Sequence, residues 1–505
     1  MAKFRTPDFK QRVMVPISLS EQITAGTLEF AIHELVEKRL DLSPFLARFR
    51  NDVVGRPAID PKILLKVVLL AYSRGVVGSR RIERLCRENI IFLALTGDDP
   101  LDHSTIAEFV SSLGDMIHPL FAQVLLVCEE MNLLGGTYFA IDGCKIPGNA
   151  SKKWSGTIEE LEAKKDSLER KVKRLLEEHR EADRKDSKNG LDDDPPEDFL
   201  KKQIERLEKE AKRIEEFLSQ AKARMGASGK EVKSNITDPD SAKMSTSHGT
   251  IQGFNAQAVV DDKHQIVVAG LASGEGQDAG QVPVVLPILR GNLERLGYRP
   301  IDFKKMTFVG DSGYFSVGNL RTSESFGFNT LIPDNNFRKR DPRLEGQKRH
   351  QPLGHGKFPL AQFHYKSQSD SYICPAGQEL RSYARQTMYN GRRCRMYVGR
   401  KEICQGCSQK RECLMKGASR RTLCIPLGGK ELSITDRMKQ KIDSPQGRKL
   451  YGKRMGTVEP VFGNLRENKA LKRFTLRGKI KATIQWLLWC MVHNIEKIAN
   501  CGLAV

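Results

Sequence analysis

Long apolar runs are missing from this chain of 505 residues. The longest strongly apolar stretch, Trp486 to Val492, falls far short of the roughly twenty residues a membrane span needs. The opening MAKFRTPDFK lacks the apolar stretch that marks a secretory signal. These absences argue against a membrane helix and against export, so the expected compartment is a reducing cytoplasm. Disulfides are disfavoured there, and the 11 cysteines are expected as free thiols or metal ligands. Acidic residues are also short, with 62 Asp and Glu against 83 Lys and Arg, a formal charge of +21. Such a chain is drawn to polyanions, and a phosphate backbone is the foremost of these because each neutralised phosphate releases counterions. Ribosomal and membrane-surface proteins share this balance.

Hydrophobic residues at 39% leave room for a core, and charged residues at 29% stand above the usual share. The length suggests about two to four domains. Residues 20–135 read as helical. Ile63, Leu64, Val67, Val68, Leu70 and Ala71 define one helix. Arg80, Arg81, Arg84 and Arg87 punctuate a second, which carries Ile82, Leu85 and Ile90, and Gly75 and Gly78 can make the turn between them. A DNA-binding helix–turn–helix has this pattern, and so does a small helical bundle. Ser104 is expected to cap the next helix, with Glu108 nearby.

Residues 137–146, TYFAIDGCKI, read as a buried strand. Coiled-coil spacing follows in Leu161, Leu168, Val172 and Leu175, then in Leu200, Ile204, Leu207, Ala211, Ile214, Leu218 and Ala221. The helix-breaking DDDPPED between them makes an inserted antiparallel hairpin. Beyond Pro239, GFNAQAVVD and QIVVAGLA read as a strand hairpin, residues 283–296 as an amphipathic helix, and MTFVG and NTLIPD as strands. That order suits an α/β core. Residues 336–445 are basic, glycine-rich and hold six cysteines. Residues 478–500 form an amphipathic helix with Ile480, Ile484, Leu487, Leu488, Met491, Ile495 and Ile498 on its apolar stripe, and Trp486 and Trp489 as packing anchors.

Asp142 lies inside an apolar strand, where a carboxylate is costly unless paired or metal-bound. Asp311 ends a second buried strand in GDS, and Glu459 lies in VEPVFG ahead of the C-terminal helix. Phosphodiester chemistry uses two hard cations roughly 4 Å apart, one for the attacking hydroxyl and one for the leaving oxygen. Carboxylates are the anionic ligands such ions take. Adjacent parallel strands can present two of them at neighbouring tips and a helix can add the third, so two Mg²⁺ (or Mn²⁺) ions are the expected cofactor. Asp278 reads as a helix N-cap ahead of Val282, with ligation the lesser reading, and Asn255 reads as structural.

The motifs and their order resemble bacterial insertion-sequence transposases of the DDE class, nearest the subgroup with a helical N-terminal domain, a coiled-coil insert and a cysteine cluster. The residues that carry this are Pro61 through Arg81, His103-Ser104-Thr105-Ile106, Asp142-Gly143 with Asn149-Ala150-Ser151-Lys152, and Thr237-Asp238-Pro239-Asp240-Ser241. They continue with Phe254-Asn255-Ala256-Gln257, Gly310-Asp311-Ser312-Gly313-Tyr314, Val458-Glu459-Pro460-Val461-Phe462-Gly463, Arg473-Phe474 with Arg477-Gly478, and His493-Asn494.

The resemblance implies an α/β fold: an RNase H-like core with an all-α N-terminal domain, an inserted antiparallel coiled-coil hairpin and an inserted cysteine-rich zinc-type module. The matching divisions are a helical DNA-binding part at 1–135, the first part of the core at 136–335 with its insertion at 155–230, a basic cysteine-rich insertion at 336–445, and the C-terminal helices with Glu459 at 446–505. It implies binding of terminal inverted repeats, metal-dependent nicking, and strand transfer to target DNA by the freed 3′ hydroxyl. The setting would be a homodimer on DNA in a bacterial, nucleoid-associated cytoplasm, with no membrane.

Tyr451, Arg454, Glu459 and Arg466 resemble the family's Tyr, Arg, Glu and basic series. The Arg-to-Glu gap is one residue longer, Arg466 stands where Lys is usual, and Lys469 is the alternative. These basic groups, with Arg80 and Arg81, are expected to contact DNA, and arginine grips phosphate bidentately. A catalytically silent DNA-binding protein of the same fold, or an RNase H-like nuclease without strand transfer, are the other readings. A coiled-coil assembly protein leaves the strand-borne acids unexplained.

Cys404 and Cys407, then Cys413, follow Cys374 in a pattern that can close a structural, tetrahedral zinc site. The resemblance selects Cys374, Cys404, Cys407 and Cys413, with Cys394 and Cys424 to spare. The arginines around them suggest a further DNA contact or a solvated basic face.

Overall fold

The computed structural model describes residues 16–46, 57–189, 197–225, 229, 231–247, 249–344, 357–358, 360–389, 392–415, 417–427 and 433–502. Most of the expected DDDPPED break lies outside them.

The N-terminal part is helical: α1 (Leu28–Glu34), α2 (Pro61–Ser73), α3 (Ser79–Glu88), α4 (Ile90–Thr96), α5 (His103–Ser112) and α6 (Ile117–Glu130). Asp60 caps α2 by accepting from the Lys62 N–H at 2.8 Å, with Pro61 in the first turn, where its missing N–H costs nothing. Gly75 turns the chain at φ +71°, and a Cβ there would come within 2.8 Å of the Ala470 Cβ. On α3, Arg80, Arg81, Arg84 and Arg87 are all exposed while Ile82 and Cys86 are buried, so the arginines face one way. The cap of α5 is Asp102, not Ser104. The Asp102 carboxylate accepts from the Ser104 N–H at 2.9 Å, and a negative charge suits a helix N-terminus.

The boundary near residue 135 separates kinds of element rather than separate cores. Helices α2 and α6 share one continuous core with the main sheet and the C-terminal helices. The Tyr72 ring lies 4.7 Å from that of Trp489, and its hydroxyl accepts from Gln485 Nε2 at 3.1 Å.

The main sheet comprises β1 (Tyr138–Pro147), β2 (Ala242–Thr246), β3 (Gly249–Asp261), β4 (Val267–Ser273), β5 (Thr307–Val309) and β6 (Asn329–Leu331). Its order is β4-β3-β1-β5-β6, with β2 beside the start of β3. Strand β3 runs antiparallel to both β1 and β4, whereas β5 is parallel to β1 and to β6. After β1 come two long helices, α7 (Ile158–Asn189) and α8 (Glu197–Gln220). Leu161 and Leu168 of the first pack with Ile214, Phe217 and Leu218 near the end of the second, so the pair is antiparallel and seated on Trp154 and Ile236. Helices α9 (Val282–Arg295) and α10 (Val317–Ser325) cover the sheet between the later strands.

A second, antiparallel sheet runs in chain order through β7 (His364–Lys366), β8 (Ser371–Ile373), β9 (Glu379–Tyr389), β10 (Arg392–Val398) and β11 (Thr422–Pro426). It has its own small core of Phe363, Leu380, Tyr397 and Leu423. The chain then returns to the main body in α11 (Ile434–Asp443), α12 (Pro445–Gly463), a π-turn over Asn464–Asn468, and α13 (Lys479–Asn500). Met438 and Ile442 of α11 belong to the principal core, so the cysteine-rich segment ends before residue 434 rather than at 445.

Helix α13 is the spine of the fold, and Trp486 and Trp489 are buried packing anchors. The apolar stripe does not begin at Ile480, which is 69% exposed in the first turn. That end is a polar junction instead. Asp238 Oδ1 accepts from the Gly478 N–H at 3.1 Å and Asp240 Oδ2 from the Lys479 N–H at 2.8 Å, satisfying N-terminal donors of α13. Near its other end Asn494 clamps β4, exchanging bonds with Val267 N and O at 2.9 Å each. Asn149 Nδ2 donates to Thr475 O at 2.9 Å and Arg477 Nε donates to Asn149 O at 3.0 Å. Several of the motifs that carry the resemblance are thus joints of the core. No single helix among the described residues is long and apolar enough to cross a membrane.

Candidate active site

Strand β1 brings Asp142 into the middle of the sheet, opposite Ala258 of β3. Its parallel neighbour β5 is registered through Ala140 and Val309, and Asp142 and Asp311 each lie two residues beyond that pair. Asp142 on β1 and Asp311, just past the end of β5, therefore sit at one level of neighbouring segments, and Asp142 feels the charge of Asp311. Asp311 Oδ1 accepts from the Gly313 N–H at 2.7 Å, which tightens the turn after β5.

Asp142 Oδ1 accepts from the Gly143 N–H at 2.8 Å, and Oδ2 takes Arg454 Nη1 at 3.0 Å. Burial pushes the Asp142 carboxyl above its ordinary range, against the pull of Arg454. Arg454 itself is held above its usual value by Asp142 and Tyr451, although burial opposes this.

Helix α12 carries Tyr451, Arg454 and Glu459. It is pinned along its length: Tyr138 Oη donates to Leu450 O at 2.9 Å, and Gln265 Nε2 to Gly456 O at 3.1 Å. At its start, Arg448 pairs with Asp341 at 2.8 Å and Asp443 at 3.0 Å. The Tyr451 ring packs edge-on against Phe337 at 5.1 Å. Glu459 is exposed, and with Asp142, Gly143, Cys144, Phe462, Gly463 and Arg466 it lines an open cleft. Glu459 and Arg466 are seven residues apart, close to two helical turns, which places both on the cleft side of the α12 and π-turn segment.

The structure thus brings together Asp142, Asp311, Arg454 and Tyr451, and gathers Asp142, Glu459 and Arg466 around one cleft. Among the described residues, the only His, Cys, Asp or Glu group whose ligand atoms all lie within 4.8 Å of one another is Glu83, Asp102 and His103. There one His103 nitrogen meets both carboxylates at 3.1 Å, tying α5 to α3. The acids at the strand tips are spread more widely, and their hard oxygen donors suit cations that bring further ligands of their own.

Lys469 does not belong to this surface. It is 4% exposed and its Nζ donates to Glu496 Oε1 at 2.8 Å. The π-turn before it swings the side chain inward, and a buried ammonium takes the nearest carboxylate rather than solvent. Arg80 and Arg81 lie on α3, exposed, and line no part of the cleft.

Asp278 departs from its expected role. Its side chain does not cap α9, whose N-cap is Gln281; Oδ1 accepts from Asn255 Nδ2 at 2.8 Å and Gln257 Nε2 at 3.0 Å. The FNAQ motif was the available signal, since a strand with two polar residues at alternate positions needs a polar object on that face.

Cys374, Cys404, Cys407 and Cys413 line one cavity in the second sheet. Burial raises the Cys413 thiol, and the other three thiols act in the same direction. Cys394 and Cys424 stand apart, diagonal to one another on the paired strands β10 and β11.

Two family models match the chain. One, described as a Transposase DDE domain, covers residues 373–499, including the four cysteines and Glu459. The other, described as a Transposase domain (DUF772), covers residues 17–112. Asp142 and Asp311 lie between the two matched stretches. No curated protein matches the chain, and no solved structure does. The mixed α/β fold is consistent with an RNase H-like core, and the two transposase models, matched towards either end of the chain, indicate an insertion-sequence transposase of the DDE type.

Proposed function

We propose that the protein cleaves DNA at the terminal inverted repeats of its insertion sequence and joins the freed 3′ hydroxyl to target DNA, with Asp142, Asp311 and Glu459 as the metal-binding acids. The reading rests above all on one observation: Asp142 shares a strand level with Asp311 and a cleft with Glu459. DDE transposases generally use divalent cations, and carboxylate oxygens on two strands and a helix fit Mg²⁺ or Mn²⁺. When bound, such ions lower the pKa of an attacking hydroxyl and stabilise the leaving oxygen.

The chain's own residues hold and orient the DNA. Arg466, at the cleft rim, grips phosphate. Arg454 lies between Asp142 and Tyr451, where its charge offsets that of the acids and keeps Asp142 in one rotamer. The exposed arginine face of α3, with Arg80 and Arg81, is a second phosphate-binding surface outside the cleft. The α7–α8 pair reads as a coiled-coil arm, and four thiolates around Cys413 suit a structural zinc ion. A homodimer on paired transposon ends follows from the chemistry, because two ends must be cut and joined together.

Alanine at Asp142, Asp311 or Glu459 is expected to lower Mg²⁺-dependent cleavage of cognate ends by at least about 100-fold, the scale of losing a transition-state charge contact, while end binding is kept. Undiminished cleavage by Asp311→Ala sinks the assignment. Cleaved but never joined products would mark a nuclease without strand transfer.

A further inference from the structure

Asp278 is an acid near the cleft strands that this reading leaves without a task. It lies on the turn after β4, and two carboxamides spend a donor on its Oδ1: Asn255 Nδ2 at 2.8 Å and Gln257 Nε2 at 3.0 Å. Both are buried, at 1% and 0% exposure, and buried amides are costly unless bonded. Gln257 Oε1 in turn takes the hydroxyl of the buried Tyr314 at 2.5 Å. Tyr314 lies within electrostatic reach of Asp278, Asp142 and Asp311.

The glycines of the two acidic motifs make sense around this carboxylate. A Cβ on Gly143 would lie 2.2 Å from Gln257 Nε2, so only glycine lets that amide cross β1 towards Asp278. A Cβ on Gly313 would lie 2.9 Å from Asp311 Oδ1 and 3.5 Å from Asp278 Oδ2. The free oxygen of Asp278 and an oxygen of Asp311 therefore flank the same small volume. Two octahedral ions offer about twelve ligand positions, more than three carboxylates and a scissile phosphate fill.

We propose that Asp278 is a fourth carboxylate of the cation site, its Oδ1 fixed by Asn255 and Gln257 and its Oδ2 turned to the ions beside Asp311. This rests on the reading of Asp142, Asp311 and Glu459 as ligands. Asn255 and Gln257 are positioning residues that hold the carboxylate in one rotamer.

The test is Mn²⁺ binding to the full chain by electron paramagnetic resonance, comparing the natural sequence with Asp278→Asn, Asp278→Glu and Asp311→Asn. Asp278→Asn is expected to weaken binding about tenfold, as loss of a ligand-shell group does, with DNA-end binding retained and partial recovery in Asp278→Glu. Unchanged Mn²⁺ affinity in Asp278→Asn, alongside a loss in Asp311→Asn, overturns the role of Asp278 and leaves the three-acid reading intact. Unchanged affinity in both overturns the three-acid reading and this one with it. If Asp278→Asn does not fold, iron(II)-driven backbone cleavage of the natural chain decides. Cuts near Asp278 together with Asp142 and Asp311 support the proposal, and cuts near the latter two alone overturn it.

Discussion

Gly143 and His493 show how single residues set the terms here. Gly143→Ala would push a methyl group into the Gln257 amide, 2.2 Å away, between paired strands that cannot move apart cheaply. Overpacking of this kind costs about 1–3 kcal/mol, so the urea midpoint is expected to fall and cleavage with it. An unchanged midpoint would mean the amide has another place to go. His493 is buried between Asn464, which donates to Nδ1 at 3.0 Å, and the Gln265 carbonyl, 2.8 Å from Nε2. A carbonyl only accepts, so Nε2 carries the proton and the ring is neutral. Burial holds its pKa down at about 4, with Lys497 and Lys469 opposing protonation and Glu496 favouring it. The unfolded chain takes up that proton near pH 6.5 whereas the native chain refuses it. This contribution to stability is therefore complete above pH 6.5 and is lost as pH falls towards 4, by up to about 3 kcal/mol. Denaturation between pH 7 and 4.5 should show the slope, and His493→Gln should flatten it. At this scale the sequence exposed the acids, because a carboxylate inside an apolar strand is conspicuous. It hid the Asp278 partnership, because an Asp ahead of a helix looks like a cap whatever it faces.

Among the elements, the second sheet is thinly supported. Its core is four side chains, Phe363, Leu380, Tyr397 and Leu423, while β9 is exposed along most of its length. A sheet so thinly cored needs a staple, and Cys374, Cys404, Cys407 and Cys413 line one cavity where β8 ends and two short helices begin. The purified protein is expected to hold about one zinc per chain, and chelation should unfold this sheet before the main core, seen as early proteolysis within residues 360–427. Fewer than about half an equivalent of zinc would remove the site. The strands, the long helix pair and α13 were legible from periodicity. The ends of elements were not: Ile480 and Lys469 turned the other way because Asp238, Asp240 and a π-turn, all set by distant contacts, decide where those segments point.

For the whole molecule, the charge of +21 becomes a statement about DNA only when its arginines are placed. Affinity for DNA should fall steeply with salt, the slope of log K growing by about 0.9 for each phosphate neutralised. Arg466→Ala and Arg80→Ala are each expected to reduce that slope by about one, whereas Lys469→Met should leave it unchanged and lower stability instead. Equal salt slopes for Arg466→Ala and the natural chain would take Arg466 off the DNA. One continuous core joins the N-terminal helices, the sheet and α13, so these parts are expected to unfold together. The amino-acid order by itself determined which segments are strands and helices, which acids sit in apolar surroundings, and that the charge favours a polyanionic partner, because these follow from local pattern and composition. Only the tertiary structure decided that Asp142 stands level with Asp311, that α12 lays Glu459 along the same cleft, and that Asp278 faces inward. Those are pairings across tens to hundreds of residues, and strand register and helix docking, not local propensity, set them.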